Sequence, residues 1–290
     1  MDTLIDAAAL KDQLDRAGES GQRTVVLDVR WALGDPHGYD HYLRGHIPGA
    51  VFVDLATELA GPAEPARGRH PLPPQEQFQE SARRWGISDG DAVVAYDDSS
   101  NMAAARLWWM LRNAGFRSVR LLDGGLAAWR AAGLDLAAGA EQPEPGNVTL
   151  SEGAMPSIDA GQAASCGQRG LLLDARAAER YRGEIEPVDP RAGHIPGAVS
   201  APTTGNLRAD GAFLAPAELR ERFERLGYRA GVPTAVYCGS GVTAAHEIAA
   251  LEIAGLSAAL YPGSFSEWCH NSSNDVVTGA APYSENAASH

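Results

Sequence analysis

The heptapeptide Gly-His-Ile-Pro-Gly-Ala-Val at residues 45–51 occurs twice in this sequence, because residues 193–199 repeat it without change. Other segments recur in the same order, and the run Val-Val-Leu-Asp-Val-Arg at residues 25–30 is matched by Leu-Leu-Leu-Asp-Ala-Arg at residues 171–176. Each copy lies about 140 residues after its counterpart, which is the length of a domain and far beyond that of a solenoid repeat. The repeat therefore predicts duplication of one domain.

Each half alternates short apolar runs with helical stretches. In the first half, residues 25–29, 92–96 and 119–122 are apolar without alternation, as expected of strands that are buried on both faces. A helical stretch at residues 102–113 ends before a glycine, and residues 242–253 repeat this pattern in the second half. The pattern predicts an α/β fold with two tandem domains, each a mainly parallel sheet flanked by helices.

The halves divide at a stretch rich in glycine and proline. We expect an N-terminal domain at residues 1–138, a linker at residues 139–152 and a C-terminal domain at residues 153–290. The tail from Thr278 is small and polar, so we expect it to be poorly ordered.

The composition excludes several classes of protein. The 290 residues carry 24 Lys and Arg against 37 Asp and Glu, a net charge of −13, which argues against a nucleic-acid or anionic-membrane partner. Three cysteines without a CxxC pair fit free thiols in a reducing compartment. The N-terminus does not have the pattern of a signal peptide, and no apolar run is long enough to span a membrane. We therefore expect a cytoplasmic protein.

One loop of the second half has the pattern of a nucleophile site. The predicted strand at residues 235–237 leads into Cys238, then Gly-Ser-Gly-Val-Thr at residues 239–243, then a helix. Ligands of open α/β sheets bind beyond the carboxyl ends of the strands, where backbone N–H groups of such a loop converge on an anion. Gly239 and Gly241 allow the loop to curl around its own cysteine, so we expect a thiolate or persulfide at Cys238.

The first half provides an internal comparison. Alignment of the strands places Asp97 where the second half has Cys238, and a carboxylate is not a sulfur nucleophile. We therefore expect an inactive N-terminal domain and one active site in the chain. Neither Cys166 nor Cys269 begins a glycine loop, and we interpret both as bystanders.

These features resemble the tandem-domain rhodanese family of sulfurtransferases. The resemblance covers nearly the whole chain, and the Cys-Gly-Ser-Gly-Val-Thr loop is similar to that of 3-mercaptopyruvate sulfurtransferases, whereas thiosulfate sulfurtransferases typically have Arg-Lys after the cysteine. It implies transfer of sulfur from 3-mercaptopyruvate through a Cys238 persulfide to a thiol acceptor, such as thioredoxin or a small thiol, or to cyanide, with release of pyruvate. It implies no metal or organic cofactor.

The resemblance also implies the site residues. Arg180 and Arg191 match the family's substrate arginines, with Arg182 as a possible substitute, and they would hold the carboxylate of a small anionic donor. The loop residues Gly239, Gly241, Val242 and Thr243 would complete the substrate site.

Two further residues match a proposed Ser-His-Asp relay of the family, Ser240 and His70. The acid does not match, because Asp54 aligns with another aspartate and the relay position is Ala56.

Three other functions stay open at this point. A thiosulfate sulfurtransferase is the nearest, although thiosulfate is a compact dianion that benefits from cations in the loop, and this loop is neutral. A phosphatase of the same fold needs an arginine six residues after the cysteine, where this chain has Ala244. A non-catalytic binding module would not need Cys238 and its two glycines.

Overall fold

The computed structural model describes residues 2–16 and 22–283, and the chain divides into two compact units. Unit 1 comprises Met1–Gly61, Pro73–Met155 and Leu207–Phe213, and unit 2 comprises Pro62–Leu72, Pro156–Asn206 and Leu214–His290. Both units are discontinuous in sequence. The segment 62–72, which carries His70, therefore belongs to unit 2.

Unit 1 is built on a five-stranded parallel sheet with the order β1-β5-β4-β2-β3. Its strands are β1 (Leu4–Ile5), β2 (Thr24–Asp28), β3 (Val51–Phe52), β4 (Ala92–Tyr96) and β5 (Val119–Leu122). Its helices are α1 (Ala7–Asp15), α2 (Gly38–Arg44), α3 (Leu55–Glu58), α4 (Gln75–Arg84), α5 (Ala104–Asn113) and α6 (Gly125–Ala131). The central strand β4 is buried along its whole length, as its unbroken apolar sequence predicts.

Unit 2 has a four-stranded parallel sheet with the order β7-β6-β8-β9. Its strands are β6 (Leu171–Asp174), β7 (Ala198–Ser200), β8 (Thr234–Tyr237) and β9 (Ala259–Leu260). Its helices are α7 (Ala160–Arg169), α8 (Ala178–Arg182), α9 (Pro216–Arg225), α10 (Thr243–Ile253) and α11 (Ser264–Trp268), with a 3₁₀ turn at Thr203–Asn206. This strand order repeats β3-β2-β4-β5 of unit 1, and the predicted α/β fold with parallel sheets is confirmed.

The repeated heptapeptide joins each sheet to a neighbouring helix. In unit 2, His194 stacks on Tyr181 with ring centroids 3.8 Å apart, and its Nδ1 lies 2.8 Å from the Tyr181 carbonyl oxygen. The next residue, Ile195, donates its N–H to the hydroxyl of Tyr237 at the end of β8. Unit 1 repeats the stacking with His46 on Tyr42. Both histidines are buried and hold the fold together, so the motif recurs even where no cysteine follows.

The expectation of a poorly ordered tail is wrong for residues 278–283. Gly279 donates its N–H to the carbonyl of Arg182, and the carbonyl of Pro282 accepts from the N–H of Gly197. The hydroxyl of Tyr283 donates to the carbonyl of Gly167 at 2.6 Å. Backbone hydrogen bonds thus fix this small polar stretch, and residues 284–290 lie outside the described part of the chain.

Candidate active site

The loop between β8 and α10 wraps its backbone around the sulfur of Cys238. The N–H of Gly241 points at Cys238 Sγ at 3.2 Å. Gly241 reaches this position with a φ of +77°, in the left-handed region that glycine adopts without steric cost. The loop is held from the other side by α11, where Ser264 Oγ accepts the Cys238 N–H at 3.1 Å and Phe265 donates its N–H to the Cys238 carbonyl. The sulfur therefore sits against a main-chain donor in a fixed loop.

Cys238 is only 1% exposed. Burial removes water from around the sulfur, and the amide of Gly241 then acts on it through a medium of low dielectric constant. Because Cys238 is buried, a substrate can contact the sulfur only after the atoms that cover it move.

The other two thiols differ from Cys238 in their surroundings. Burial, and then the charge of Asp189, raise the pKa of the Cys269 thiol to about 11. Burial also raises the pKa of the Cys166 thiol. Both thiols are therefore poor sources of a thiolate at neutral pH.

Ser240 and His70 form a hydrogen-bonded pair beside the sulfur. Ser240 Oγ lies 2.8 Å from His70 Nδ1, and Ser240 is buried within the cysteine loop. His70 reaches the loop because the preceding residues are tied to α11, where Arg69 donates its N–H to Ser266 Oγ at 3.1 Å. The structure thus brings together two of the residues that the sequence singled out.

Two guanidinium groups lie directly over Gly239. A Cβ atom at Gly239 would be 3.0 Å from Arg69 Nη2 and 3.3 Å from Arg180 Nη1. Arg180 was expected here, but Arg69 was missed by the sequence reasoning. The signal that could have found it is its position immediately before His70 in the sequence.

Arg180 and Arg69 belong to a chain of alternating charges that begins at Asp174 and ends at Arg69. Arg176 pairs with Asp174 at 2.6 Å and with Glu186 at 3.5 Å, and Arg180 then contacts Glu186 at 2.6 Å. The ion-pair chain consists of Asp174, Arg176, Glu186, Arg180, Asp189 and Arg69. It holds three arginines and three carboxylates, so its net charge is zero when all of them are ionised.

The pKa values of two carboxylates in this chain, Asp189 and Glu186, shift in opposite directions. Burial raises the pKa of Asp189 and outweighs the opposing effect of Arg69 and Arg180. For Glu186, burial acts in the same direction, but hydrogen bonds from Arg180 and from the backbone of Asp189 and Val188 hold its pKa below the ordinary value. Glu186 therefore keeps its negative charge beside the arginines more readily than Asp189 does.

The guanidinium of Arg191 bonds to backbone carbonyls of the segment after α11. Its Nε donates to the carbonyl of Cys269 at 2.9 Å, its Nη1 to the carbonyl of Asn274 at 2.8 Å and its Nη2 to that of Asn271 at 3.0 Å. These bonds close the segment after α11. Arg182 pairs with Glu184 at 2.7 Å, and both side chains are partly exposed.

Asp54, which aligns with an aspartate other than the relay acid, has a structural role. Asp54 caps α3, where its carboxylate accepts the N–H of Ala56 at 2.9 Å and the hydroxyl of Thr57 at 2.9 Å. Capping of this kind satisfies helix donors that would otherwise lack a partner.

Unit 1 shows what the equivalent loop does without a cysteine. The carboxylate of Asp97 accepts four backbone N–H groups, from Ser99, Asn101, Ala103 and Ala104, at 2.7–2.9 Å. The loop geometry therefore directs several amide donors at one negative group, and in unit 1 that group is the side chain of Asp97 itself.

Unit 2 is thus an α/β domain whose strand-to-helix loop holds one cysteine sulfur against a main-chain donor, with two guanidinium groups over the next residue, Gly239. A family model described as the rhodanese-like domain matches residues 6–132 and 158–271. The chain belongs to the rhodanese-like family, with two tandem copies of the domain.

Relatives with printed functions cover nearly the whole chain. A Mycobacterium tuberculosis protein, SseB, provisionally named a thiosulfate sulfurtransferase, is 45% identical over 96% of this chain and 98% of its own. A Pseudomonas aeruginosa protein, provisionally named a 3-mercaptopyruvate sulfurtransferase, is 48% identical over 88% of this chain and 92% of its own. The crystal structure of SseA from Escherichia coli, described as a 3-mercaptopyruvate sulfurtransferase of rhodanese fold, superposes with a TM-score of 0.80 at 31% identity, over 91% of this chain and 99% of that chain.

Residues 2–16 and 22–283 contain no helix that is long and apolar enough to cross a membrane. In the same residues, no cluster of three or more His, Cys, Asp or Glu side chains is arranged to hold a metal ion.

Proposed function

We propose that this protein is a sulfurtransferase that moves a sulfur atom from 3-mercaptopyruvate through a Cys238 persulfide to a thiol acceptor or to cyanide. The observation that carries the proposal is the contact of the Gly241 N–H with Cys238 Sγ at 3.2 Å, beside two guanidinium groups that the ion-pair chain neutralises. The relatives support sulfur transfer, but their names divide between two donors.

Binding of the donor begins at the arginines. Arg180 and Arg69 lie over Gly239, and their side chains are about one-fifth exposed, at 19% and 21%. The donor carboxylate would take the place of the Asp189 carboxylate on these two groups, with bidentate contacts that suit the planar guanidinium.

Charge balance favours a monoanion over a dianion. Each guanidinium over Gly239 is matched by a carboxylate of the ion-pair chain, so the pocket offers hydrogen-bond donors without an excess of positive charge. Mercaptopyruvate carries one charge on its carboxylate, whereas thiosulfate is a compact dianion that needs compensating cations. Mercaptopyruvate is therefore the better match.

The first half-reaction forms the persulfide. The Cys238 thiolate attacks the thiol sulfur of mercaptopyruvate, so that an S–S bond forms while the C–S bond breaks with its electron pair on carbon. The leaving group is the pyruvate enolate, which takes a proton to become pyruvate. We assign the delivery of this proton to the hydroxyl of Ser240 on the cysteine loop, which is hydrogen-bonded to His70. The persulfide stays on the loop, where main-chain N–H groups stabilise its charge.

The second half-reaction transfers the outer sulfur of the persulfide to the acceptor. An acceptor thiolate, such as that of thioredoxin or a small thiol, attacks the outer sulfur and leaves with it, and the Cys238 thiolate is restored. Cyanide would leave as thiocyanate. The two steps share one enzyme intermediate, so the kinetics should be ping-pong. A reducing compartment such as the cytoplasm suits this cycle, because all three cysteines are free thiols.

The test is a steady-state comparison of the wild type, Cys238→Ser and Cys269→Ser with both donors. Cys269 is a matched control, because it is also a buried thiol of unit 2, at 2% exposure. We expect Cys238→Ser to lose pyruvate release entirely and Cys269→Ser to keep it within about twofold. Full activity of Cys238→Ser would refute the assignment of Cys238 as the nucleophile. A larger kcat/KM for thiosulfate than for mercaptopyruvate would refute the choice of donor. Absence of sulfur transfer from either donor would indicate a non-catalytic module.

A further inference from the structure

Unit 1 has a pocket of about 280 Å³ at the carboxyl ends of β2 and β4. Arg30, just after β2, and Asp98, just after β4, line its walls. The chain leaves β2 for β3 on one side and then crosses to β4 on the other, so the pocket lies where the strand order reverses. Ligands of open α/β sheets bind at this point, which in unit 2 is the place of the cysteine loop.

The pocket cannot repeat the chemistry of unit 2. Asp97 fills the amide cradle of the loop with its own carboxylate, and no thiol lines the pocket. Any ligand must therefore be recognised by the side chains around the cradle.

Four charged or titratable groups of the pocket, Arg30, Asp35, His41 and Arg44, already have partners. Arg30 pairs with Asp28 at 2.5 Å, and His41 Nε2 lies 3.1 Å from an Asp35 carboxylate oxygen. The guanidinium of Arg44 contacts Nδ1 of the same histidine, which fixes that nitrogen as the acceptor.

Two groups remain, Asp98 and Arg130. Both residues are exposed and line the same pocket. Neither side chain makes a hydrogen bond or salt bridge within residues 2–16 and 22–283, and Asp98 acts on the neighbouring Arg30 guanidinium only through its charge. Opposite charges in one small pocket that do not pair with each other can both be satisfied by a ligand that carries the complementary charge at each end.

We propose that this pocket binds a small zwitterion of the α-amino acid class. The ligand carboxylate would accept hydrogen bonds from Arg130, and its ammonium group would donate to Asp98. The size is sufficient, since about 280 Å³ is more than a small amino acid fills. The site would work separately from sulfur transfer, and its ligand need not react.

The test is isothermal titration calorimetry on the full chain with three probes. L-Alanine carries both charges, propionate carries only the carboxylate, and ethylamine carries only the ammonium group. Three variants accompany the wild type: Asp98→Asn, Arg130→Gln and, as a control for binding at the cysteine loop, Arg180→Gln. Because Asp98 and Arg130 are exposed and unpaired among the described residues, both substitutions should leave the thermal unfolding temperature unchanged.

We expect saturable binding of L-alanine that weakens about tenfold or more in Asp98→Asn and in Arg130→Gln, but not in Arg180→Gln. Propionate and ethylamine should each bind at least about tenfold more weakly than L-alanine. No saturable binding of L-alanine would overturn the proposal. Equal affinity for propionate would do the same, as would a loss confined to Arg180→Gln.

Discussion

Substitution of Asp189 by Asn tests whether charge balance selects the donor. Asp189 contacts both arginines over the loop, and its side chain is fully buried. Asparagine has nearly the same shape and keeps a carbonyl oxygen for the arginines, but it removes one negative charge. The ion-pair chain then gains a net positive charge, which attracts the dianion thiosulfate more strongly than the monoanion mercaptopyruvate.

The magnitude follows from Coulomb's law. Thiosulfate has one more negative charge than mercaptopyruvate, and we place that charge about 6 Å from the uncompensated guanidinium in a medium of dielectric constant about 40. The extra attraction is then about 1.4 kcal/mol, which is about a tenfold change in relative kcat/KM. Asp189→Asn should therefore shift the ratio of kcat/KM for the two donors about tenfold toward thiosulfate.

The assay measures pyruvate release and thiocyanate formation with cyanide as acceptor. Glu184→Gln is the matched control, because it makes the same change in net charge at a surface carboxylate of unit 2 that pairs with Arg182. We expect this control to leave the ratio within about twofold, since exposed charges are screened. An unchanged ratio in Asp189→Asn, or a shift toward mercaptopyruvate, would refute the reasoning.

The stability of the same variant, compared with that of the wild type, should depend on pH. Burial raises the pKa of Asp189, so the folded state holds its proton more tightly than the unfolded state does. This carboxyl therefore stabilises the fold at pH values below its unfolded pKa, and the contribution is lost as pH rises through the folded pKa. At neutral pH, Asp189→Asn should unfold at the same temperature as the wild type or higher, and the wild type should gain relative to it in acid. A lower unfolding temperature of the variant at pH 7 would contradict this.

Three further predictions concern the cysteine loop and His70, which is bonded to it. Ser240→Ala should lower kcat for mercaptopyruvate by about 10²-fold and affect thiosulfate much less, because the pyruvate enolate needs a proton and sulfite does not. His70→Asn should give a similar loss, and the double variant no greater one, since the two side chains act as a hydrogen-bonded pair; additive losses would oppose this. Gly241→Ala places a side chain at a φ of +77°, which costs about 1–2 kcal/mol and displaces the N–H from Cys238, so both the unfolding temperature and kcat should fall. Wild-type values of both would contradict the role of this amide.

Local features of the site could be predicted from the sequence because they depend on neighbours in the chain. The glycines beside Cys238 specify a tight loop at the end of a strand, and the repeat identifies Asp97 as the equivalent position. The same repeat shows that the two heptapeptide histidines serve the fold, because both halves keep them.

Long-range pairings could not be predicted from the sequence. Arg69 and Asp189 are 120 residues apart, and only the folded chain brings this pair to the loop. Arg191 stands two residues before the second heptapeptide, but nothing local indicates that its donors are taken by carbonyls of residues 269–274. The repeat in the sequence also predicts two domains that are each continuous in the chain, whereas the segment with Arg69 and His70 packs into unit 2.

The most direct test of sulfur transfer is intact-mass and peptide mass spectrometry after the protein is incubated with 3-mercaptopyruvate alone, without an acceptor. We predict that one sulfur atom is added to the peptide that contains Cys238, with one pyruvate released for each chain, and that a thiol acceptor removes it. Pyruvate release with no sulfur on Cys238, or sulfur on Cys166 or Cys269 instead, would contradict the account.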